Sequence, residues 1–192
     1  MKKMLAIALF AVAASCMAQE ASVRIDINGI AEKNQLTPVK SDGGVGIDNA
    51  GWMGPNTPYY LAVLGGKVDS NWNAYEFSFI PEKDGKVVLS LMGPWYVAKD
   101  AKDNSPVWVA YDNLTVTGAE LKNPDFENLN DQGLVSDWDS AAVNIVKDKG
   151  DAQSGKTYVK AWHNQPVRQT LDVKKGQKVT VKFNIKAVED KK

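Results

Sequence analysis

Apolar and polar residues alternate along most of this chain, with the two-residue period of strands that are buried on one face. The runs that show this alternation are 23–27, 75–79, 87–91, 107–116, 143–146, 158–162, 167–173 and 179–187. No long run has the spacing of an amphipathic helix. The pattern therefore predicts an all-β protein of many short strands, arranged as a β-sandwich or jelly roll.

Turn-forming residues separate these runs. Asp84-Gly85 lies between the runs 75–79 and 87–91, and an Asp-Gly dipeptide in that position predicts a hairpin. The stretch 37–58 is rich in Gly, Asn, Asp and Pro. It is predicted to be a long loop or a set of loops, which is where binding residues commonly lie on a rigid sandwich.

The N-terminal segment has the pattern of an export signal. Met1-Lys2-Lys3 precede an apolar run at 4–14 and a small-residue stretch that ends at Ala18, and such a segment is too short to span a membrane. We predict that 1–18 is removed as a signal peptide and that 19–192 forms one β-sandwich domain, which is periplasmic, cell-surface or secreted. In a second interpretation, 13–16 resemble a bacterial lipobox and Cys16 carries a lipid anchor.

Composition argues against nucleic acid as a partner and against disulfide bonds as a source of stability. Without 1–18 the chain has 21 basic and 23 acidic residues, and this balance argues against a nucleic-acid partner. Cys16 is the only cysteine, so disulfides cannot stabilise the domain. No later segment is apolar for long enough to form a transmembrane helix.

Several motifs, taken together, point to one family. In the second half of the chain they are Asn123-Pro124-Asp125-Phe126-Glu127, Trp138, 151–156, 167–171 and 176–187. In the first half they are 72–79, the Asp84-Gly85 turn and 108–114. The segment 121–187 resembles the opening half of a galactose-binding-like jelly roll, and 68–118 resembles its closing half. This is the fold of many carbohydrate-binding modules.

The two halves stand in reversed order along the chain. One explanation is a single circularly permuted sandwich, since permutation is tolerated where chain ends lie close together at the surface. The other is two modules, one at 21–118 and a truncated one at 119–192. A truncated module would expose Val181, Phe183 and Ile185 on an open sheet, which is an aggregation hazard. We therefore favour the permuted single sandwich.

The residues offer little for catalysis. The only histidine, His163, has no cysteine or second histidine to pair with. Paired carboxylates can hydrolyse glycosides, but Asp125/Glu127 and Asp137/Asp139 lie in turn or strand-edge contexts. We expect a protein that is not an enzyme, with a hydrolase as the minor alternative.

The resemblance also implies a structural calcium ion. In galactose-binding-like modules, the Glu of the N-x-x-F-E segment, carbonyls of the S-G loop and an Asp on the closing strand often surround one ion. By motif these groups correspond to Glu127, to the loop from Asp151 to Gly155 with its Ser154, and to Asp112. Calcium takes about six to eight oxygen ligands of this kind. Alternatively, Asp112 and Glu127 accept backbone hydrogen bonds in turns.

Aromatic residues are the candidates for sugar binding, because flat apolar rings stack on pyranose rings. Trp72, Trp108 and Trp138 are predicted to be core residues. The predicted ligand-binding residues are Trp52, Tyr60, Trp95, Tyr96, Trp162, Asn164 and Gln165. They predict a non-catalytic glycan-binding protein. The alternative is a structural or adhesive surface domain that binds another protein.

Overall fold

The computed structural model describes residues 19–26, 36–39, 46–48, 60–81, 83–93 and 107–188, with side chains within 68–81, 83–93 and 107–188. Its regular structure is eleven β-strands and one short 3-10 helix, Ala142–Asn144. The strands are β1 (Gln19–Asp26), β2 (Leu36–Val39), β3 (Gly46–Asp48), β4 (Tyr60–Val68), β5 (Asn73–Pro81), β6 (Gly85–Met92), β7 (Val109–Thr117), β8 (Ile145–Lys147), β9 (Thr157–Ala161), β10 (Val167–Val173) and β11 (Val179–Ala187). The prediction of an all-β protein is confirmed.

The strands form two antiparallel sheets. Sheet A has five strands in the order β10-β6-β1-β4-β3, and sheet B has six in the order β2-β5-β11-β7-β9-β8. Strands from both halves of the chain are neighbours in each sheet: β10 pairs with β6, and β11 lies between β5 and β7. The two halves are therefore interleaved by main-chain hydrogen bonds.

One hydrophobic core lies between strands of both halves. Alternate residues of β11 are buried in it, and the ring of Phe183 lies 6.4 Å from that of Phe77 and 5.9 Å from that of Tyr111. Trp138 also belongs to the core, with its ring 5.1 Å from the ring of Phe126. Full burial of such a side chain contributes about 1.5–3 kcal/mol. The alternation read from the sequence thus directs side chains of both halves to the same interior.

The predicted hairpin at Asp84-Gly85 is wrong. The strands on either side, β5 and β6, belong to different sheets, so the chain crosses from one sheet to the other. The crossing is held by the neighbouring turn, since Asp84 Oδ1 accepts a hydrogen bond from Lys175 N at 2.8 Å and Gly176 N donates to Pro81 O at 2.7 Å. β5 and β6 belong to different sheets because both bury apolar residues. These residues face each other across the core between the two sheets and are not neighbours within one sheet.

The predicted loop at 37–58 is also wrong in part. It contains most of β2, which pairs with β5, and all of β3, which pairs with β4. Both strands are short and lie at sheet edges, where a proline such as Pro38 is accommodated because one side of the strand needs no donors. The rest of the stretch, 40–45 and 49–58, lies outside the described residues.

β4 is a strand that the sequence pattern does not predict. Its alternation is lost at Gly65-Gly66, and glycine pairs favour turns. In the structure it is flanked by β1 and β3, so pairing on both sides overrides this local preference.

In the part of the chain that the structure describes, no helix has the length and apolar character required to cross a bilayer.

Candidate functional site

A β-bulge in β7 sets the position of Asp112. Two residues of β7, Asn113 and Leu114, lie opposite the single residue Phe183 of β11, and Asn113 has a φ of 53°, a conformation that asparagine tolerates better than most residues. Tyr111 and Leu114 point into the core. Asp112 is fully buried on the other face of sheet B.

Asp112 binds the loop 148–156, which joins β8 to β9. Its Oδ2 accepts a hydrogen bond from Ser154 N at 2.8 Å, and its Oδ1 accepts one from Ser154 Oγ at 3.1 Å and one from Asn113 N at 2.6 Å. Burial raises the pKa of Asp112, although the hydrogen bonds from Ser154 and Asn113 act in the opposite direction. The carboxylate thus attaches the loop to sheet B at the cost of its own desolvation.

Glu127 binds the same loop at its other end. Its Oε1 accepts hydrogen bonds from Lys156 N at 2.7 Å and from Thr157 N at 2.6 Å. Gly155 has a φ of 59°, and a Cβ atom there would lie 2.4 Å from Glu127 Oε1. Only glycine therefore combines this backbone conformation with so close an approach of the carboxylate.

Asp151 forms a second contact between this loop and sheet B. Its carboxylate pairs with the ammonium group of Lys186, and its Oδ2 accepts a hydrogen bond from Tyr158 OH at 2.7 Å. Trp72 Nε1 donates to the main-chain oxygen of Asp151 at 2.7 Å. The Lys186 ammonium lies 4.8 Å from the centre of the Trp72 ring and 5.1 Å from that of Tyr158, which adds cation–π attraction.

The structure brings the four predicted calcium ligands together. Asp151 and Ser154 lie on the loop 148–156, and Asp112 and Glu127 accept hydrogen bonds from Ser154 and from Lys156 and Thr157. Each carboxylate there accepts hydrogen bonds from N–H or O–H donors, as in the alternative interpretation of Asp112 and Glu127. Among the described residues, no group of three or more His, Cys, Asp and Glu side chains is arranged to hold a metal ion. These contacts explain the three carboxylates without a cation, and calcium binding stays a prediction.

The raised pKa of Asp112 makes a testable prediction about stability and pH. The folded state holds the Asp112 proton more tightly than the unfolded state, so ionisation of this group costs stability as pH rises through its folded-state pKa. We expect the stability of the wild type relative to Asp112→Asn to decrease as pH rises from about 3, below the ordinary pKa of aspartate, through the raised folded-state pKa. Urea unfolding of both proteins across this range measures it. A difference that stays constant or increases would contradict the assignment.

The tryptophan turn, residues 162–165, leads from β9 towards β10. Trp162 N donates to Gln165 O at 3.4 Å, and Gln165 N donates to Trp162 O at 3.0 Å. The buried side chain of Asn144 supports the turn, because its Nδ2 donates to Lys160 O at 2.8 Å and to Gln165 O at 3.0 Å. The main chain of the turn is thus anchored from inside.

The turn presents an aromatic ring beside amide side chains. Trp162 and Gln165 are partly exposed and Asn164 is exposed. The Trp162 ring meets the buried Trp108 ring edge to face at 6.3 Å, and Lys160 Nζ lies 4.7 Å from the centre of the Trp108 ring. Three of the predicted ligand-binding residues are therefore brought together on one anchored turn.

The other predicted ligand-binding residues are Trp52, Tyr60, Trp95 and Tyr96. Trp52, Trp95 and Tyr96 lie outside the described residues. The main chain of Tyr60 begins β4 and is paired with Asp26 of β1, in sheet A.

Of the three predicted core tryptophans, Trp138 is in the core and Trp108 is buried. Trp72 is only partly buried, over Lys186, so its assignment to the core is wrong, because Lys186 and the loop at Asp151 offer its ring and N–H group better partners.

The β10 groove, a cavity of about 580 Å³ beside strand β10, is a feature that sequence reasoning did not predict. It is lined by Val88, Glu120, Lys122, Asp137, Asp139, Arg168, Gln169, Thr170 and Asp172. The signal available in the sequence was the alternation of polar residues along β10, which matches their exposure at 168, 170 and 172. The groove also needs 120–122 and 137–139, and only the fold brings these segments to β10.

Hydrogen bonds to main-chain groups connect the segments that form the walls of the groove. Gln169 receives a hydrogen bond from Lys122 N at 2.8 Å and donates one to Lys122 O at 2.9 Å. Asp139 and Arg168 exchange two main-chain hydrogen bonds, at 2.8 Å and 3.0 Å. The walls are therefore part of the hydrogen-bonded framework, and the polar side chains project from a preformed scaffold.

Comparison of the chain with protein-family models, with curated proteins and with solved structures found no match in any of the three. The geometry of its own residues therefore carries the functional argument.

Proposed function

We propose that this protein is an exported, non-catalytic glycan-binding module. The observation that carries the proposal is the tryptophan turn, where the partly exposed ring of Trp162 is held edge-on by Trp108 and stands beside Asn164 and Gln165. A ring held in place loses little conformational freedom when a sugar stacks on it. The neighbouring amide groups both donate and accept hydrogen bonds, as sugar hydroxyls require.

We further propose that the fold is a galactose-binding-like jelly roll in circularly permuted order. Its support is the interleaving of the two halves, since β10 and β11 take positions beside β6, β5 and β7. Cleavage after Ala18 would place the new N-terminus at Gln19, the first residue of β1. Because β1 lies between β4 and β6 in sheet A, export and folding would involve the same few residues.

Binding of the protein 19–192 to a glycan array tests the function. We expect binding to at least one neutral polysaccharide class and a loss of affinity of about tenfold or more in Trp162→Ala, since removing a stacking aromatic costs on the order of 1–2 kcal/mol. Asn164→Ala should weaken binding less, and Trp162→Phe should retain part of the affinity because it keeps a ring. Isothermal titration with the best array ligand gives the values.

Folding of the variants is the control for this experiment. Trp162 packs on Trp108, so each variant is compared with the wild type by circular dichroism and melting temperature before titration, whereas Asn164 is exposed and can be replaced with little effect on the fold. Equal glycan affinity of the wild type and of a folded Trp162→Ala variant would contradict the assignment of the binding site to the tryptophan turn. A wild type that binds no polysaccharide would contradict the function and favour a surface domain that binds another protein.

A further inference from the structure

The β10 groove carries more negative than positive charge. Four carboxylates line it, from Glu120, Asp137, Asp139 and Asp172, against the two cations Lys122 and Arg168. A cavity with this lining suits a polar ligand, because carboxylates accept hydrogen bonds from hydroxyl and ammonium groups, while Arg168 and Thr170 can donate them.

Three of these carboxylates already have cationic partners. Asp172 Oδ1 lies 2.7 Å from Lys86 Nζ, Asp139 Oδ2 lies 3.6 Å from Arg168 Nη1, and Asp137 Oδ1 lies 3.9 Å from Lys122 Nζ. Glu120 is exposed at the groove and forms no ion pair with any residue in the described part of the chain. Among the described residues, Glu120 is therefore the groove carboxylate without a cationic partner, and it is accessible to a cationic ligand.

We propose that the β10 groove is a second glycan site, which binds an amino sugar through an ion pair between its ammonium group and Glu120. The inference rests on the proposed function for the class of ligand, but it uses a different surface from the tryptophan turn. Arg168 and Thr170 lie on the same strand and offer donors to the ring hydroxyls. An anionic sugar would meet the uncompensated carboxylate and be disfavoured.

A matched pair of ligands tests the proposal. Titrations use a glucosamine hexasaccharide and its N-acetylated counterpart, at mildly acidic pH where the free amine is charged. We expect the amine form to bind about three- to tenfold more tightly, as befits one partly solvated ion pair. The advantage should disappear in Glu120→Gln, and it should shrink in about 1 M salt, where the Debye length is about 3 Å.

Glu76→Gln is the control variant. It makes the same chemical change in sheet B, where Glu76 pairs with Lys182 at 3.0 Å, and it should leave the preference for the amine unchanged. Equal affinity of the wild type for the two hexasaccharides, or a preference that survives Glu120→Gln, would overturn the inference while neutral glycan binding at Trp162 still stood. If neither hexasaccharide bound the wild type, the inference would fail, whereas the proposed function would fail only if the glycan array also showed no binding.

Discussion

Replacement of Lys186 by methionine is expected to lower the free energy of unfolding by about 2–3 kcal/mol, although the residue is charged and lies on a sheet face. The Lys186 side chain is only 7% exposed, and its ammonium group pairs with Asp151 and lies over two aromatic rings. Methionine keeps the apolar stem and removes the charge. The expected loss is below that of a fully buried pair, because the Asp151 side chain is 45% exposed and water can solvate the carboxylate that is left.

The same strand offers a matched control. Lys182 of β11 pairs with Glu76, but its side chain is 59% exposed, and exposed ion pairs contribute about 0–1 kcal/mol. Lys182→Met should therefore change stability by less than about 1 kcal/mol. Urea unfolding at neutral pH measures both variants. Equal small losses would show that the Lys186–Asp151 pair does not hold the loop 148–156 on sheet B.

Phe183→Ala is expected to have the largest effect, a loss of about 3–5 kcal/mol. Phe183 is 4% exposed and lies on β11, in the second half of the chain. Its ring packs near those of Phe77 and Tyr111, from the first half, at centroid distances of 6.4 Å and 5.9 Å. Truncation to alanine therefore removes buried apolar surface and leaves a cavity in the shared core.

The shape of the unfolding curve tests the interleaved fold in the same experiment. Because β11 is paired with both β5 and β7, the wild type should unfold in one cooperative transition, and Phe183→Ala should shift that whole transition to lower denaturant. Phe183→Leu, which refills most of the volume, should lose less. Two transitions, of which the variant moved only one, would instead support separate modules in the two halves.

Much of the strand structure could be predicted because it depends on local pattern. The alternation at 179–187 recurs as the buried and exposed positions of β11, and a two-residue period has a direct meaning for any half-buried strand. The pairing of strands could not be predicted in the same way. Asp84-Gly85 has the local chemistry of a hairpin, yet the chain crosses between the sheets there, because pairing is decided by the apolar faces that must meet in the core.

The candidate sites also contain some residues that sequence could group and others that only the fold brings together. Trp162, Asn164 and Gln165 are neighbours in sequence, so their proximity could be predicted, whereas the turn that holds them is a finding of the structure. The motifs also brought out Asp112, Glu127 and the loop at Asp151. They did not indicate that Lys186 pairs with Asp151, because the two residues are 35 positions apart and a lysine between core residues of a strand looks like any solvent-facing position.

The amino-acid sequence by itself determined that this protein is built of strands, which residues of a strand such as β11 are buried, and that Trp162, Asn164 and Gln165 would lie close together. These properties follow from the period of the chain and from neighbouring residues. Only the tertiary structure decided that the two halves share sheets and a core, that Lys186 and the carboxylates hold the loop 148–156, and that three distant segments enclose the β10 groove. Such features depend on contacts between residues far apart in sequence, and no local pattern encodes which distant residues will meet.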